Sequence, residues 1–449
     1  MIDDKKPITS LRNPLGHPDM HLMTYGIRDI VLVTQKLKKL GAPEIVGENI
    51  GDPIVKGQEV PRFIKDIVKK AIDENKTFAY VDSKGAAEAR EFAVKNAKEI
   101  WVNTSITADE VLFSNGLGHA IDLLYSKKRR ETRIICPAPS YPAHNSSESF
   151  YSGEPVMTYR LDPKNSWQID LDDLEDKIKT NKRITGVTLI NPNNPIGAVT
   201  NSEVLEKVVR LAEKYNLFLI SDEVYHNIIY NNCKFTPLLA VARDRIPFIV
   251  MHGVSKDIPW PGGRSGWLEI YNRELSSEFA SYIAGIEQSL RIQVCATALP
   301  QHVIPKIYGH PEYKNYIRKW SKELEASGNY IADVLDSIKG LSCNRAYGAF
   351  YLMPIFDEGV LNNRQTLPIE NAKAKEYVEE LTSDSNLPLD KRFAYYLLAN
   401  TGICVVPATD FYIEDYGFRV TTLEKDAEKR KDTYRKLKEA IEKYLTSTS

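Results

Sequence analysis

From about residue 110 to residue 270 the chain repeats one pattern: a short apolar run, a loop of small and polar residues, and then a helical stretch. The runs are EVLFS (110–114), TRIIC (132–136), ITGVTLI (184–190), LFLIS (217–221) and PFIVMH (247–252). Several are continuous in apolar residues and rich in β-branched ones. A strand wetted on one face alternates; a continuous run belongs to a strand covered on both faces. Helical stretches such as NSEVLEKVVRLAEKY (201–215) separate most of the runs. This alternation predicts an α/β fold with a mostly parallel central sheet flanked by helices.

At 449 residues the chain is too long for one ordinary core. Residues 60–72 (VPRFIKDIVKKAI) have apolar positions at helical spacing, and 311–339 form a long amphipathic stretch. Beyond 340 the character changes to short strands, AFYLMPI (349–355) and GICVVP (402–407), and a charged helix at 424–445. The polar stretch 357–392 reads as an insertion or mobile loop. The expected division is a large domain at 66–320 and a smaller α/β domain built from both termini, 1–65 and 321–449. The Pro-, Gly- and His-rich stretch 1–27 is expected to lie across the surface.

Several function classes are excluded early. A formal net charge of −1 gives no electrostatic reason for a nucleic acid or an anionic membrane as partner. No run approaches the length of a membrane span, and the N-terminus MIDDKKPITS has no apolar signal-peptide region. Five scattered cysteines with no CxxC pair fit reduced thiols, hence a cytoplasmic location. His17 and His21 have the spacing of a zinc helix pair, but Pro18 stands where that motif needs Glu, so no metal site is expected. Sequons at Asn103 and Asn145 carry no weight without a secretion signal.

In an open α/β sheet, ligands bind beyond the carboxyl ends of the strands. The loops there hold reactive residue types. Run 110–114 leads into Asn115-Gly116-Leu117-Gly118 and a helix, and run 132–136 into Pro137-Ala138-Pro139-Ser140-Tyr141-Pro142. Run 184–190 leads into Asn191-Pro192-Asn193-Asn194-Pro195-Ile196-Gly197, and run 217–221 into Asp222-Glu223-Val224-Tyr225. Run 247–252 leads into Gly253-Val254-Ser255-Lys256, with Arg264 eight residues on. The N–H groups of Gly116, Leu117 and Gly118, the Ser255 hydroxyl and the Arg264 guanidinium can together hold an anion. Tyr141 offers a face to a flat ring. Asp222 can keep a pyridine nitrogen protonated, while Asn194 and Tyr225 can donate to a phenolate oxygen. Lys256 is the one lysine at a strand end among these loops, and its amine can form a Schiff base. The Gly116–Gly118 loop also resembles a dinucleotide site, but that fingerprint needs a glycine at 121, where Ile121 stands.

In these motifs the chain resembles the class I/II aminotransferases, the fold-type-I enzymes of pyridoxal phosphate (PLP). Residues 191–197 resemble that family's Asn-Pro-x-Asn-Pro-[Thr/Ser]-Gly turn, 222–225 its Asp-Glu-x-Tyr, and SKDIPWPGGRSG (255–266) its Ser-Lys-x-x-x-x-Pro-Gly-x-Arg-x-Gly. Phe418-Arg419-Val420 resembles its substrate-carboxylate segment, and Ile50-Gly51-Asp52-Pro53 its glycine loop over the substrate. Phe78-Ala79-Tyr80, with Lys84-Gly85 and Ala89-Arg90, resembles the segment whose tyrosine reaches the neighbouring subunit's phosphate. The resemblance runs in family order from about residue 26 to 445.

It implies a homodimer with its active site at the subunit interface. It implies ping-pong transfer of an amino group from an L-amino acid (alanine, aspartate or aromatic) to a 2-oxo acid such as 2-oxoglutarate. Lys256 would hold PLP as a Schiff base and then move the Cα proton, with Arg264 favouring its neutral amine. Asp222 would keep the ring an electron sink, and Arg419 would grip the substrate carboxylate. The chain departs from the pattern at Leu117, Ile196, Pro259-Trp260 and Ala408, none of which removes a group the chemistry requires. Pro259 and Trp260 are expected to stiffen their loop or narrow the pocket.

Taken singly, each residue has a bland reading. Lys256 is a surface lysine, Asp222 a helix N-cap, Tyr141 a packing residue, Arg419 a surface ion pair, and Tyr80 core or interface packing. Their joint placement favours chemistry. Two other functions compete. One is another PLP reaction on the same scaffold, a C–S β-lyase or decarboxylase. The other is a PLP-sensing regulator, which resembles a fusion with a DNA-binding domain; only about 45 residues precede the glycine loop here, and the chain is not basic.

Overall fold

The structure, a computed structural model, describes residues 15–447. All five apolar runs are strands, and three further strands join them. In chain order they are β1 (Val111–Ser114), β2 (Arg133–Ala138), β3 (Thr158–Asp162), β4 (Gln168–Ile169), β5 (Ile184–Ile190), β6 (Phe218–Asp222), β7 (Phe248–Gly253) and β8 (Gly266–Tyr271). They form one eight-stranded sheet in the order β1-β8-β7-β6-β5-β2-β3-β4. Neighbours from β3 through β2, β5 and β6 to β7 are parallel. β8 runs against both β7 and β1, and β4 against β3.

Successive residues along these strands feed two cores. Leu112, Ile134, Ile220, Ile249 and Met251 pack on one face. Val111, Phe113, Ile135, Leu219 and Val250 pack on the other. Burial on both faces is why the runs are continuous in sequence. β8 (GWLEIY) is hidden from such a reading because a glutamate interrupts it. Glu269 is nonetheless buried, because Trp267 Nε1 donates to it at 2.9 Å and Tyr271 Oη at 2.6 Å. β3 and β4 lie toward one edge, where half-exposed positions break up the apolar run of β3.

The helices expected at 60–72, 201–215, 311–339 and 424–445 are Arg62–Ile72, Ser202–Tyr215, Tyr313–Asp336 and Ala427–Thr446. Of the two readings of the 357–392 stretch, an insertion or a mobile loop, the loop is overturned. It contains the helix Ala372–Leu381 and the start of the helix Leu389–Thr401, and it buries Leu361, Leu367, Ala374 and Val378. Its polar majority is the solvent face of a folded segment. Of the N-terminal stretch, residues 1–14 lie outside the described residues. Pro18–Leu22 forms a 3₁₀ turn, tied down by an Arg130–Asp19 ion pair at 2.8 Å. No described helix is long and apolar enough to cross a membrane, and all five cysteines are free.

Segments from the two ends of the chain pair with each other. Val46–Gly47 runs parallel to Ile403–Cys404. Gly402 makes this crossing possible: its φ is +76°, and a Cβ there would sit 2.1 Å from the Glu44 carbonyl oxygen. A second sheet, in the order β9-β11-β10, consists of β9 (Tyr351–Leu352), β10 (Val406–Pro407) and β11 (Phe418–Thr421). The Thr421 N–H donates to the Glu48 carbonyl at 2.9 Å. This contact lays the 48–53 loop against the strand that carries Arg419.

Candidate active site

Asp222 ends β6 and is buried. Its Oδ2 lies 3.3 Å from His144 Nε2, and its Oδ1 accepts the Val224 N–H at 3.2 Å. The fully buried His144 is 3.1 Å by Nδ1 from Tyr125 Oη, which lies 3.0 Å from Thr188 Oγ1. A polar chain therefore runs from the strand end into the core and fixes the carboxylate. His144 belongs to the helix Pro142–Ser152, which begins immediately after Tyr141. Proline suits a first helical position because its missing N–H would have no partner there. Sequence reasoning passed over His144; its one signal is its place three residues beyond Tyr141, in the first turn of the helix that follows the strand-end loop.

Lys256 lies in the turn after β7, half-buried. Its Nζ donates to the Gly51 carbonyl at 3.1 Å and stands 5.6 Å from the Tyr225 ring centroid and 5.5 Å from that of Phe350. Tyr225 is buried, and its hydroxyl donates to Tyr351 Oη at 3.2 Å. Burial, with the neighbouring Tyr351, pushes the Tyr225 phenol well above its ordinary value, so it keeps its proton and can donate. Tyr351 also reaches Gly51: a Cβ built there would sit 2.1 Å from its Oη.

Arg419 is 2% exposed. Its Nη1 donates to Asn194 Oδ1 at 3.1 Å and its Nη2 to the Asn49 carbonyl at 2.6 Å. Its guanidinium carbon lies 4.7 Å from the Tyr351 ring centroid and 5.1 Å from that of Phe411. Among the described residues its Nε has no hydrogen-bond partner, and it forms no ion pair with a carboxylate. Burial pushes its pKa down, and the hydroxyls of Tyr351, Tyr225, Tyr25 and Tyr141 oppose that shift. The surface ion-pair reading of Arg419 is thus replaced by a buried cation lacking an anion. Tyr141 receives a hydrogen bond from Tyr25 Oη at 3.0 Å, and burial pushes its phenol well above the ordinary value.

Gly116 caps the helix Leu117–Ser126 with φ +79°. A Cβ on Gly116 would stand 2.5 Å from Arg264 Nη2, so the glycine lets the guanidinium approach the helix start. Around Gly118 nothing lies within 4 Å of a Cβ position. The Leu117 side chain turns toward the strands; a Cβ on Gly266 would meet its Cδ2 at 2.8 Å. Its backbone is left at the helix N-terminus, where N–H groups and the helix dipole favour an anion. Arg264 is exposed, anchored by Nη1 to the Pro261 carbonyl at 3.0 Å, and Ser255 is half-buried in the turn after β7. Trp260 packs within this loop: its carbonyl accepts the Gly263 N–H at 3.0 Å, and its ring would lie 2.8 Å from a Cβ on Gly263.

Contacts thus link Lys256, Tyr225, Gly51, Asn194 and Arg419 into one group, through Tyr351 and the Arg419 hydrogen bonds, and bring Arg264 to Gly116 at the start of the Leu117–Ser126 helix in another. Tyr80 joins neither. It is 84% exposed, as its neighbour Phe78 is at 76%. Tyr25, Asn49 and Tyr351 enter from remote segments, and the sequence carries no local signal for them.

The sequence profile of the aminotransferase class I and II family matches residues 45–432. The chain belongs to the class I and II aminotransferases. This aminotransferase is 42% identical over 435 residues to an uncharacterized aminotransferase of Methanocaldococcus jannaschii, spanning 97% of this chain and 100% of that one. It is 29% identical over 336 residues to the glutamate-pyruvate aminotransferase of Escherichia coli K12, spanning 74% of this chain and 80% of the relative. The solved structure of an alanine aminotransferase from Pyrococcus furiosus matches with a TM-score of 0.81 at 27% identity, over 96% of this chain and 99% of that chain. The fold is the fold-type-I aminotransferase fold.

Proposed function

We propose that this aminotransferase uses PLP to move the amino group of a small neutral L-amino acid, alanine foremost, to a 2-oxo acid such as 2-oxoglutarate. The observation that carries the reading is Arg419: a buried guanidinium with no carboxylate partner and a free Nε–H. Burying an unpaired cation is expensive, and a carboxylate supplied by substrate would relieve that expense with a forked pair of hydrogen bonds. The groups against Arg419 are Asn194 Oδ1, the Asn49 carbonyl and the rings of Tyr351 and Phe411, all uncharged, which suits an uncharged substrate side chain. The names of the Escherichia coli and Pyrococcus furiosus proteins, glutamate-pyruvate and alanine aminotransferase, support the same substrate class.

The residues present fit PLP. The Gly116 cradle, which a Cβ would close against Arg264, suits a phosphate. Asp222, held by His144, suits a protonated pyridine nitrogen. When bound, PLP supplies an electron sink and a carrier for the amino group. In this reading Lys256 Nζ is the covalent anchor and, once released, the base that moves the Cα proton. Tyr225 and Asn194 would supply donors to the ring oxygen, Tyr141 would offer its ring face, and Gly51 would border the substrate. The reading extends to a homodimer in which exposed Tyr80 reaches the partner subunit's phosphate site.

The test is a donor panel assayed with 2-oxoglutarate, together with a half-reaction in which amino acid alone is added. Alanine should convert the bound cofactor to its pyridoxamine form and give pyruvate. Release of pyruvate, ammonia and sulfide from cysteine, with no such conversion by alanine, would defeat the proposal in favour of β-elimination. Lys256→Ala should lose both the visible Schiff-base absorbance and turnover.

A further inference from the structure

The residue after Lys256 poses a separate question. Asp257 is fully buried. Among the described residues no Lys, Arg or His pairs with it; its partners are all neutral. Oδ2 accepts from Asn227 Nδ2 at 2.6 Å, from Tyr313 Oη at 2.8 Å and from Tyr308 Oη at 3.0 Å. Oδ1 accepts the Ile258 N–H at 2.8 Å. The donors come from three elements. Asn227 lies just after the Asp222–Tyr225 segment, Tyr308 ends the helix Ala298–Tyr308, and Tyr313 opens the helix Tyr313–Asp336. Asn227 Nδ2 also donates to Tyr313 Oη at 3.1 Å, which closes the cluster.

A buried carboxylate is a poor choice for packing alone, since an apolar side chain of similar size would fill the space without desolvating a charge. What the carboxylate adds is directional hold, because several donors fix it from different sides. Consecutive Cα atoms are about 3.8 Å apart, so holding Asp257 holds the main chain of Lys256. The Lys256 side chain itself has a single hydrogen bond, to the Gly51 carbonyl.

We propose that Asp257 is a positioning residue for Lys256. Through Asn227 it locks the lysine's turn to the segment that carries Asp222 and Tyr225, and through Tyr308 and Tyr313 to the two helices behind. The amine is thereby set at a fixed distance from the ring that those residues hold. This inference rests on the PLP reading above.

Two probes separate positioning from general structural support. Pyridoxal phosphate must bond to Lys256, whereas pyridoxamine phosphate has no aldehyde and meets only the remaining residues. In the cofactor-stripped enzyme, Asp257→Asn should weaken pyridoxal phosphate about tenfold, the scale of effect expected for a slightly misplaced reacting group. Its affinity for pyridoxamine phosphate should not change. Equal weakening of both, or of neither, overturns the proposal. If Asp257→Asn does not fold, the Tyr308→Phe/Tyr313→Phe double variant removes two donors and must show the same selective loss; an equal loss for both probes again overturns it. If the wild-type protein and Lys256→Ala bind pyridoxal phosphate alike, the PLP reading itself has failed, which is a distinct result.

Discussion

Gly51→Ala tests how tightly the substrate side of the site is built. Gly51 needs no special backbone angle; what it supplies is space. A Cβ there would sit 2.1 Å from Tyr351 Oη and 3.0 Å from its Cζ. Comfortable non-bonded separations begin near 3.5 Å, so something must retreat by roughly 1.4 Å. If Tyr351 moves, it loosens the hydrogen bond from Tyr225 at 3.2 Å and the ring 4.7 Å from the Arg419 guanidinium. If the loop moves, the Gly51 carbonyl leaves Lys256 Nζ, now 3.1 Å away. Overpacking of this kind costs about 1–3 kcal/mol of stability. Misplacement by about 1 Å at a reacting centre lowers rate about 100-fold. The expected result is therefore a modest drop in urea midpoint and a fall of about 100-fold in kcat/KM with alanine as donor. Adding Tyr351→Phe removes the clashing oxygen and leaves the 3.0 Å contact to Cζ, so the double variant should recover part of the loss. Wild-type kcat/KM for Gly51→Ala, or no recovery in the double variant, would refute this account.

Three further outcomes are expected. Arg419→Lys keeps the charge but loses the planar fork, so KM for the amino donor should rise about tenfold or more while affinity for pyridoxal phosphate is unchanged, as read by steady-state kinetics and cofactor titration. Arg133→Met leaves Glu148 buried without the partner that holds it at 2.7 Å, and urea unfolding should show a loss of about 3–5 kcal/mol. Burial pushes Glu223 from 4.5 up to about 8, so its neutral form is favoured in the fold. Its stabilising contribution is complete below the unfolded value of 4.5 and is lost as pH rises through about 8. Glu223→Gln should match the wild type in thermal midpoint near the acidic end of that window and exceed it above the alkaline end; parity at both ends would contradict the assignment.

The sequence alone determined the sheet's buried strands and the chemistry at their ends. Strands covered on both faces must be apolar throughout, so β1, β2, β5, β6 and β7 are written locally, and the loops after them hold Asp222, Asn194, Tyr225 and Lys256 within a few residues of each run. β8 was illegible because Glu269 is satisfied by Trp267 and Tyr271, a compensation visible only once the side chains are placed. The 357–392 stretch misled for a related reason: composition reports its wetted face, not the few residues it buries. Only the tertiary structure decided which distant segments meet Lys256 and Arg419. Gly51 and Asn49, Tyr351, and Tyr25 converge there because strands from the two ends of the chain pair across some 350 residues, as Val46 does with Ile403. Local patterning encodes burial and backbone preference, whereas contacts between remote segments depend on how packed elements orient one another. That is also why Arg419, by itself an ordinary surface arginine, becomes a buried cation without an anion only in the folded chain.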